Sequence, residues 1–396
     1  MKVLVANIGS TSLKWRLFDF SNGAETLLHK GGFERVVDYP KAIEDCLVAL
    51  KDAGAIASES ELAAVGFKTV IAQGVSGCVL IDDRVLAAME AFTGLAPAHN
   101  PPYITGIRLF AKRVPSVPLI ALFETAFYQW APEAAMRYAV PDAWHQAGVR
   151  RFGFHGASHK FIAERSAQLL GREDVARRAQ NLYLDGGKSP VNAPELRVIS
   201  CHLGGSSSIT GIRKGVAIGT SMGMSPQSGL PQNNRVGDLD SFAVPFAMRT
   251  LGLSHDEADH QLTRESGLKG LSGVSNDIRD VTAAADKGHV RAKLALDVFI
   301  ASARHWIGSY FFQLDGADAI VFTAGIGENR AELRAAICAD LGRLGITIDP
   351  AKNAATKATE AVISTADSRV KVMVIPTNEE LVVARETKRL LDNRQS

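Results

Sequence analysis

The chain has 396 residues, 46% of them hydrophobic and 22% charged, with 44 Lys plus Arg against 42 Asp plus Glu. That length predicts roughly two domains of about 100 to 200 residues each, and the composition is that of an ordinary globular protein rather than a disordered one. A formal net charge of +2, with basic residues scattered along the chain, carries no nucleic-acid footprint.

Residues 2–6 read as a buried strand, and 13–20 alternate apolar with polar as a half-buried strand should. Ser21-Asn22-Gly23 then turns the chain into a third strand. Helical patterns over 40–52, 82–93 and 102–113 alternate with strand candidates at 63–71 and 117–123, the βα order of a mixed sheet. A comparable order returns later. Strand candidates 196–202, 206–212 and 215–219 are separated by Gly-rich turns, and long helical patterns follow at 240–263 and 288–314. Ala319–Ala324 reads as a strand, followed by a helix from about 330, a strand at 370–375 and a final helix from 378. Two halves that open alike predict a duplicated fold, although no residue-level repeat is visible. The stretch 171–195, rich in Arg, Asp, Gly and Pro, reads as the least structured part and as a surface insertion.

Cys46, Cys78, Cys201 and Cys338 lie far apart with no CxxC pair, which argues against a zinc knuckle and a disulfide framework and for reduced thiols. The N-terminus lacks the apolar core of a signal peptide, and no apolar run approaches the ~20 residues that span a bilayer. The expected setting is cytoplasmic, away from membranes.

Three loops have the make-up of an anion site, each with a plainer alternative. Asn7-Ile8-Gly9-Ser10-Thr11-Ser12-Leu13-Lys14 sets short donors and a lysine between two strands, where they can meet phosphate oxygens or serve only a hairpin turn. His202-Leu203-Gly204-Gly205-Ser206-Ser207-Ser208 repeats the design in the second half, with the same plain alternative. At Phe322-Thr323-Ala324-Gly325-Ile326-Gly327-Glu328-Asn329 a strand breaks into glycines before a helix, which lets a ligand approach the backbone or merely makes a helix entry. Three other motifs are set aside. Gly219-Thr220-Ser221-Met222-Gly223 matches a nucleophile elbow, but Pro226 and Gly229 follow where a helix is needed. Gly187-Lys188-Ser189 lacks the leading glycine of a Walker loop, since Leu182 stands there. His155 and His159 have metal-ligand spacing but no third ligand.

Eight ordered segments together resemble the acetate kinases, members of the sugar kinase, Hsp70 and actin superfamily. They are the Asn7–Lys14 opening, Ala98–Pro102, Arg151–Lys160, Ser221–Pro226, Asn234–Asp240, Ser272–Arg279, Ala324–Asn329 and Pro376–Leu381, and they run nearly end to end. The resemblance implies an α/β fold of two duplicated RNase H-like (actin-like ATPase) domains, each a mixed five-stranded sheet flanked by helices, with the active site in the cleft between them. It implies a substrate-side domain of 1–124 plus 380–396, a nucleotide-binding and dimerisation domain of 125–379, and a homodimer. It also implies ATP and ADP as co-substrates, Mg²⁺ or Mn²⁺ as the metal, and a small carboxylate as acceptor. In such enzymes the residues matching Asn7 and Glu379 position the metal, those matching His155, Arg235 and Glu124 are catalytic, and His155 and Arg235 meet the phosphoryl group in flight. The nucleotide is lined by the residues matching Ser10, Ser12 and Lys14, His202, Leu203, Gly204, Gly205 and Ser206, Asp277, Ile278 and Arg279, and Gly325, Ile326, Gly327, Glu328 and Asn329. The carboxylate is lined by those matching Lys68, Val70, Ala98, His99, Phe154 and Pro226. The chemistry agrees. Phosphoryl transfer needs positioning and positive charge, and a carboxylate with pKa near ~4 is already ionised, so no general base is required.

The sequence departs from the family where the acceptor would bind. Lys68 stands where the family carries an arginine, which keeps the charge but loses the planar fork. Glu124 replaces an aspartate and Ala98 a leucine, so a compensated Lys–Glu pair and an acyl group larger than acetate are expected. Gly205-Ser206 replaces Asn-Gly and removes one amide donor near the phosphates, which leaves the phosphoryl donor open. Two other readings remain: a kinase for another small acid, and a nucleotide-binding relic without turnover.

Overall fold

The computed structural model describes residues 1–395, apart from the side chains of Asn22 and Gln395. The first half contributes β1 (Lys2–Ile8), β2 (Ser12–Asp19), β3 (Thr26–Glu34), β4 (Leu62–Thr69), β5 (Cys78–Leu80) and β6 (Leu119–Phe123). The second contributes β7 (Arg197–Leu203), β8 (Ser207–Arg213), β9 (Val216–Thr220), β10 (Ala319–Thr323), β11 (Ala361–Val362) and β12 (Lys371–Val374). Two sheets result, in the orders β3-β2-β1-β4-β6-β5 and β9-β8-β7-β10-β12-β11. Adding six to each strand number of the first reproduces the second. Directions match too: three antiparallel strands, two parallel ones and an antiparallel edge. The duplication is therefore a property of topology. Each sheet has six strands rather than the five expected, because β5 and β11 are edge strands of three and two residues, too short to leave a periodic pattern.

The central strands are apolar without alternation because both faces are covered. Val3, Leu4, Val5 and Ala6 of β1 are buried, as is every residue of β10. Helix Tyr39–Asp52 shows the complementary pattern, with Ile43, Cys46, Leu47 and Leu50 buried on one stripe and Asp38 capping its start. The last helix, Glu379–Gln395, returns to the first sheet, where Val383 and Thr387 press so closely on Gly66 that a Cβ there would collide with both. Its Glu386 also pairs with Lys160 at 2.8 Å, a fully buried link to helix Gly156–Leu169.

Two expectations fail for local reasons. The long helix at 240–263 is instead Ala243–Leu251, His255–His260 and a π-helical turn Gln261–Glu265. Gly252 in the left-handed region ends the first piece, and Ser254 with Glu257 forms a capping box that starts the second. The stretch 171–195 is not the least structured part, since it holds helix Glu173–Asp185, with Val175, Ala176, Ala179 and Leu182 buried. Its many charges masked that apolar stripe. Among the described residues no helix is long and apolar enough to cross a membrane.

Candidate active site

The parallel strands of both sheets end at one crevice, the usual ligand position in open α/β sheets. From the first sheet come Asn7 near the end of β1, Lys68 near the end of β4 and Glu124 just after β6. From the second come His202 in β7 and the segment after β10. Lys68 Nζ lies 3.1 Å from Glu124 Oε1 and 2.7 Å from Glu379 Oε2, so one ammonium joins two carboxylates. Burial favours the neutral amine, but the charges of Glu124 and Glu379 outweigh it and hold Lys68 well above the lysine value. Burial likewise raises Glu124, which Lys68 only partly offsets. Burial would raise Glu379 too, yet the closer Lys68 and His202 hold it below the usual carboxylate value. The carboxylate nearer the ammonium therefore keeps its charge most firmly.

The metal expectation can be tested on donor atoms. Glu379 Oε1 is buried with no hydrogen-bond partner among the described residues, and Asn7 Oδ1 accepts from Tyr103 Oη at 2.7 Å, which orients the amide. A hard oxygen donor left bare and an oriented amide oxygen suit Mg²⁺, which takes one or two protein ligands and keeps waters. The residues fit the ion.

His155 caps helix Gly156–Leu169 with φ 58°, and Gly156 donates its N–H to the Glu124 carbonyl at 2.9 Å. A Cβ at Gly156 would collide with that carbonyl, so only glycine lets the helix start beside Glu124. The His155 ring stacks on His202 with centroids 4.0 Å apart, and its Nδ1 lies 2.8 Å from Ser208 Oγ. His159 bonds Ser200 and Ser208 through its two ring nitrogens, which accounts for that residue without a metal. Burial first holds His155 and His159 well below the histidine value and His202 at about 4.

Those histidines predict acid sensitivity. As pH falls below 6.5 the unfolded chain gains a proton at each, whereas folded His202 waits until about 4, so stability falls across that window. His202 alone contributes on the order of 3 kcal/mol at neutral pH that is lost by pH 4. Urea unfolding at pH 7 and pH 4.5 should show it, with a shallower loss in His202→Gln. An unchanged midpoint would contradict the assignment.

Arg235 sits in a loop held by Gln232 N to Arg235 O at 3.0 Å and by the close approach of Gly267 to Gln232 and Arg235 carbonyls. Its Nη1 donates to Pro226 O at 3.2 Å and Ser206 Oγ at 3.4 Å, and it makes no ion pair among the described residues. A cavity of about 270 Å³ opens beside it, its lining including Ala98, His99, Pro226, Asn234, Asp259 and Arg264. His99 faces this cavity, where packing around its ring and then Arg235, Lys68 and Arg264 push its pKa down to about 4. Val70 and Phe154 form an apolar cluster with Phe92, Ala96 and Met222, and Ala96 joins that cluster to the cavity.

The remaining loop residues divide. Leu203 is buried, Gly204 N–H turns to Ser207 Oγ at 3.2 Å, and Gly205 O receives Asn233 N–H at 3.2 Å, which ties this turn to the Arg235 loop. Gly325 is open to solvent and Asn329 Nδ2 braces its carbonyl at 3.0 Å. Ile326 is core, Gly327 packs against β7, and Glu328 turns inward to accept from Ala324 N at 2.7 Å and Thr377 N at 3.3 Å. Asp277 caps helix Ile278–Asp286 and pairs with Arg279, while Ile278 is buried. Lys14 is drawn to Glu34 at 2.8 Å on the open side of the first sheet, Ser10 is exposed in its turn, and Ser12 lies at the start of β2. Ser221, the rejected nucleophile, is buried and accepts from Ile209 N at 2.9 Å.

The acetokinase family model matches residues 29–385. The chain belongs to the acetokinase family. It is 40% identical to the acetate kinase of Clostridium novyi (strain NT) over 99% of both chains. A crystal structure of Porphyromonas gingivalis acetate kinase superposes with TM-score 0.85 at 33% identity, covering 98% of this chain and 99% of that one. A propionate kinase from Francisella tularensis subsp. tularensis SCHU S4 follows at TM-score 0.83 and 33% identity, with 97% and 98% covered. The duplicated topology is thus that of the acetokinases. Three residues beside the crevice went unremarked in the sequence: Tyr103, which orients Asn7; Arg16, which reaches Asn378 at 3.1 Å; and Arg334. Arg334 is buried and donates from Nε, Nη1 and Nη2 to Asn353, Thr356 and the carbonyls of Gly327 and Glu328, holding that loop from behind. No local motif marks such a brace.

Proposed function

We propose that this chain is an acetate kinase-type carboxylate kinase, moving the γ-phosphoryl group of ATP reversibly to acetate or a related small carboxylate. One acceptor oxygen forms the new bond to phosphorus as the bond to the ADP oxygen breaks, and an acyl phosphate and ADP leave. No proton need move. The observation that carries this reading is convergence: Lys68 from the first sheet, held between Glu124 and Glu379, and Arg235 from the second half, which makes no ion pair among the described residues, both lie close enough to His155 and His99 to add to the lowering that burial first imposes on those rings. Two cations, of which only Lys68 is tied to carboxylates, and two neutral imidazoles able to donate a hydrogen bond suit a polyanion in flight.

In this reading Arg235 and His155 stabilise the equatorial oxygens. Lys68 has three N–H donors, two of them directed to Glu124 and Glu379, which leaves the third for the acceptor carboxylate. Asn7 and Glu379 would hold Mg²⁺, which when bound would supply charge neutralisation at the phosphates. The loops Gly204–Ser206 and Gly325–Asn329 receive the nucleotide, with Ser10, Ser12, Lys14 and Asp277–Arg279 at its margins. Residues 1–124 plus 380–396 form the acceptor side and 125–379 the nucleotide side.

A larger acyl group is favoured by the cavity that runs past Ala98. Acyl hydroxamate formed from acetate, propionate, butyrate and hydroxy acids, with Mg-dependent ADP release, tests both readings. Propionate or a longer acid is expected to match or exceed acetate. Acetate clearly best would remove the larger-acyl reading, and nucleotide binding without ADP release from any acid would remove the kinase.

A homodimer is also proposed. None of the residues in the apolar helix Ala243–Leu251 is buried, and Phe242, Phe246 and Leu251 are 77%, 64% and 67% exposed, a patch that a second copy of this chain would cover. Sedimentation at micromolar protein should give twice the chain mass.

A further inference from the structure

Helix Gly156–Leu169 and its cap present His155, Ser158 and His159 at i, i+3 and i+4, one face of a helix. β7 presents Ser200 and His202 at i and i+2, one face of a strand, and Ser208 stands opposite His202 in β8. Where the faces meet, hydrogen bonds run in an unbroken line. Ser200 Oγ meets His159 Nδ1, His159 Nε2 meets Ser208 Oγ, and Ser208 Oγ meets His155 Nδ1, each at 2.8 Å. Ser200, His159 and Ser208 are completely buried, whereas His155 reaches the crevice and its Nε2 makes no hydrogen bond among the described residues. Burial first, and then the basic neighbours His202, His159, Lys68 and Arg235, disfavour a charge on His155, so it stays neutral with one ring proton.

A neutral imidazole has one donor and one acceptor nitrogen, and a hydroxyl has one proton. When the Ser208 hydroxyl gives one of its two bonds and takes the other, the line has a direction. If Ser200 donates to His159 Nδ1, His159 donates from Nε2 to Ser208, Ser208 donates to His155 Nδ1, and the His155 proton must sit on Nε2. In the reverse direction His155 donates from Nδ1 and turns a bare lone pair to the crevice. An anionic phosphoryl group attracts the N–H and repels the lone pair. Stacking on His202, whose Nδ1 lies 2.8 Å from Ser158 Oγ, holds the plane of the ring, and turning it over would put a carbon in place of Nδ1 against Ser208.

We propose that Ser200, His159 and Ser208 form a proton-ordering relay that fixes His155 as its Nε2–H tautomer, which makes His159 and Ser208 positioning residues for phosphoryl transfer. The functional half rests on the reading above that His155 meets the phosphoryl group; the tautomer itself does not. The test is ¹⁵N NMR of the histidine rings in the full-length protein at neutral pH, with His155 assigned from the spectrum of His155→Gln. The expected wild-type signature is a protonated Nε2 and an unprotonated Nδ1, with averaged signals in Ser208→Ala. Ser208→Ala should also lower kcat about tenfold, the scale of one lost hydrogen bond, with the nucleotide KM nearly unchanged. Ser208→Thr, which keeps the hydroxyl, should restore the tautomer. In a His155→Ala background Ser208→Ala should cost nothing more, whereas a purely structural serine would cost the same in both. If Ser208→Ala does not fold, Ser200→Ala breaks the line one link further away and gives the same spectral readout. A wild-type Nδ1–H tautomer, an unaltered tautomer in both serine variants, or equal losses in both backgrounds would overturn the relay. Full activity in His155→Ala would overturn the functional half, while the ring spectrum still decides the relay.

Discussion

Arg235→Ala is expected to lower kcat about a thousandfold while leaving nucleotide affinity and melting temperature close to wild type. Arginines that act on a transferring phosphoryl group carry at least that much of the rate. Arg334 shows the opposite arrangement. Arg334 is buried and directs all three of its nitrogens to protein oxygens, so its charge is spent on holding the Gly327–Glu328 backbone. Arg235 uses only Nη1, on two neutral acceptors, and no carboxylate pairs with it among the described residues. Burial and Arg264 lower its pKa, but a guanidinium stays protonated, so a cation with no ion-pair partner among the described residues stands beside a cavity whose lining holds one carboxylate, Asp259, against Arg235 and Arg264. An anion in transit completes it. Steady-state kinetics with calorimetric nucleotide titration separates the two effects. A loss below tenfold would remove Arg235 from the reaction.

The parts of this molecule that sequence revealed are those encoded locally. The unbroken apolar run of β1 and β10, the helical pattern over 40–52 and the Gly/Ser turns are each decided by neighbours within a few residues, and each appears where local pattern places it. The broken helix at 243–265 was legible in principle, since Gly252 and the Ser254/Glu257 box are local signals that the apolar pattern overrode. The edge strands β5 and β11 were not, because three and two residues are too few to carry a periodic pattern. Site residues divide similarly. Lys68 and Glu124 attracted notice as substitutions against a family pattern, but that Glu379 would share the same ammonium is a contact across 311 positions. The sequence also said nothing of Tyr103 behind Asn7, because a lone tyrosine on an amphipathic helix looks like core until its hydroxyl finds a partner.

Removing that shared ammonium should be the most destabilising single change at the site. Lys68→Met leaves Glu124 and Glu379 facing each other in a buried site, and breaking a buried pair costs about 3–5 kcal/mol. The sign of the pH response identifies the cause. Without Lys68 at least one carboxylate has a folded pKa above its unfolded value, so its contribution is intact in acid and lost as pH rises through the folded value. The deficit of Lys68→Met relative to wild type should therefore shrink as pH falls from 8 to 5, even though the histidines destabilise both proteins over part of that range. A deficit independent of pH would mean that the side chain acts by packing alone. Lys68→Arg separates charge from geometry. A guanidinium keeps the charge but needs more room than the 2.7 Å and 3.1 Å contacts of Lys68 provide, while Glu124 reaches one methylene further than an aspartate. Lys68→Arg alone should lose activity, and Lys68→Arg with Glu124→Asp should recover part of it, a positive coupling measurable as a double-mutant cycle. If the two substitutions were simply additive, Lys68 and Glu124 would have drifted independently, and the acceptor site would owe its shape to Ala98 and the open cavity instead.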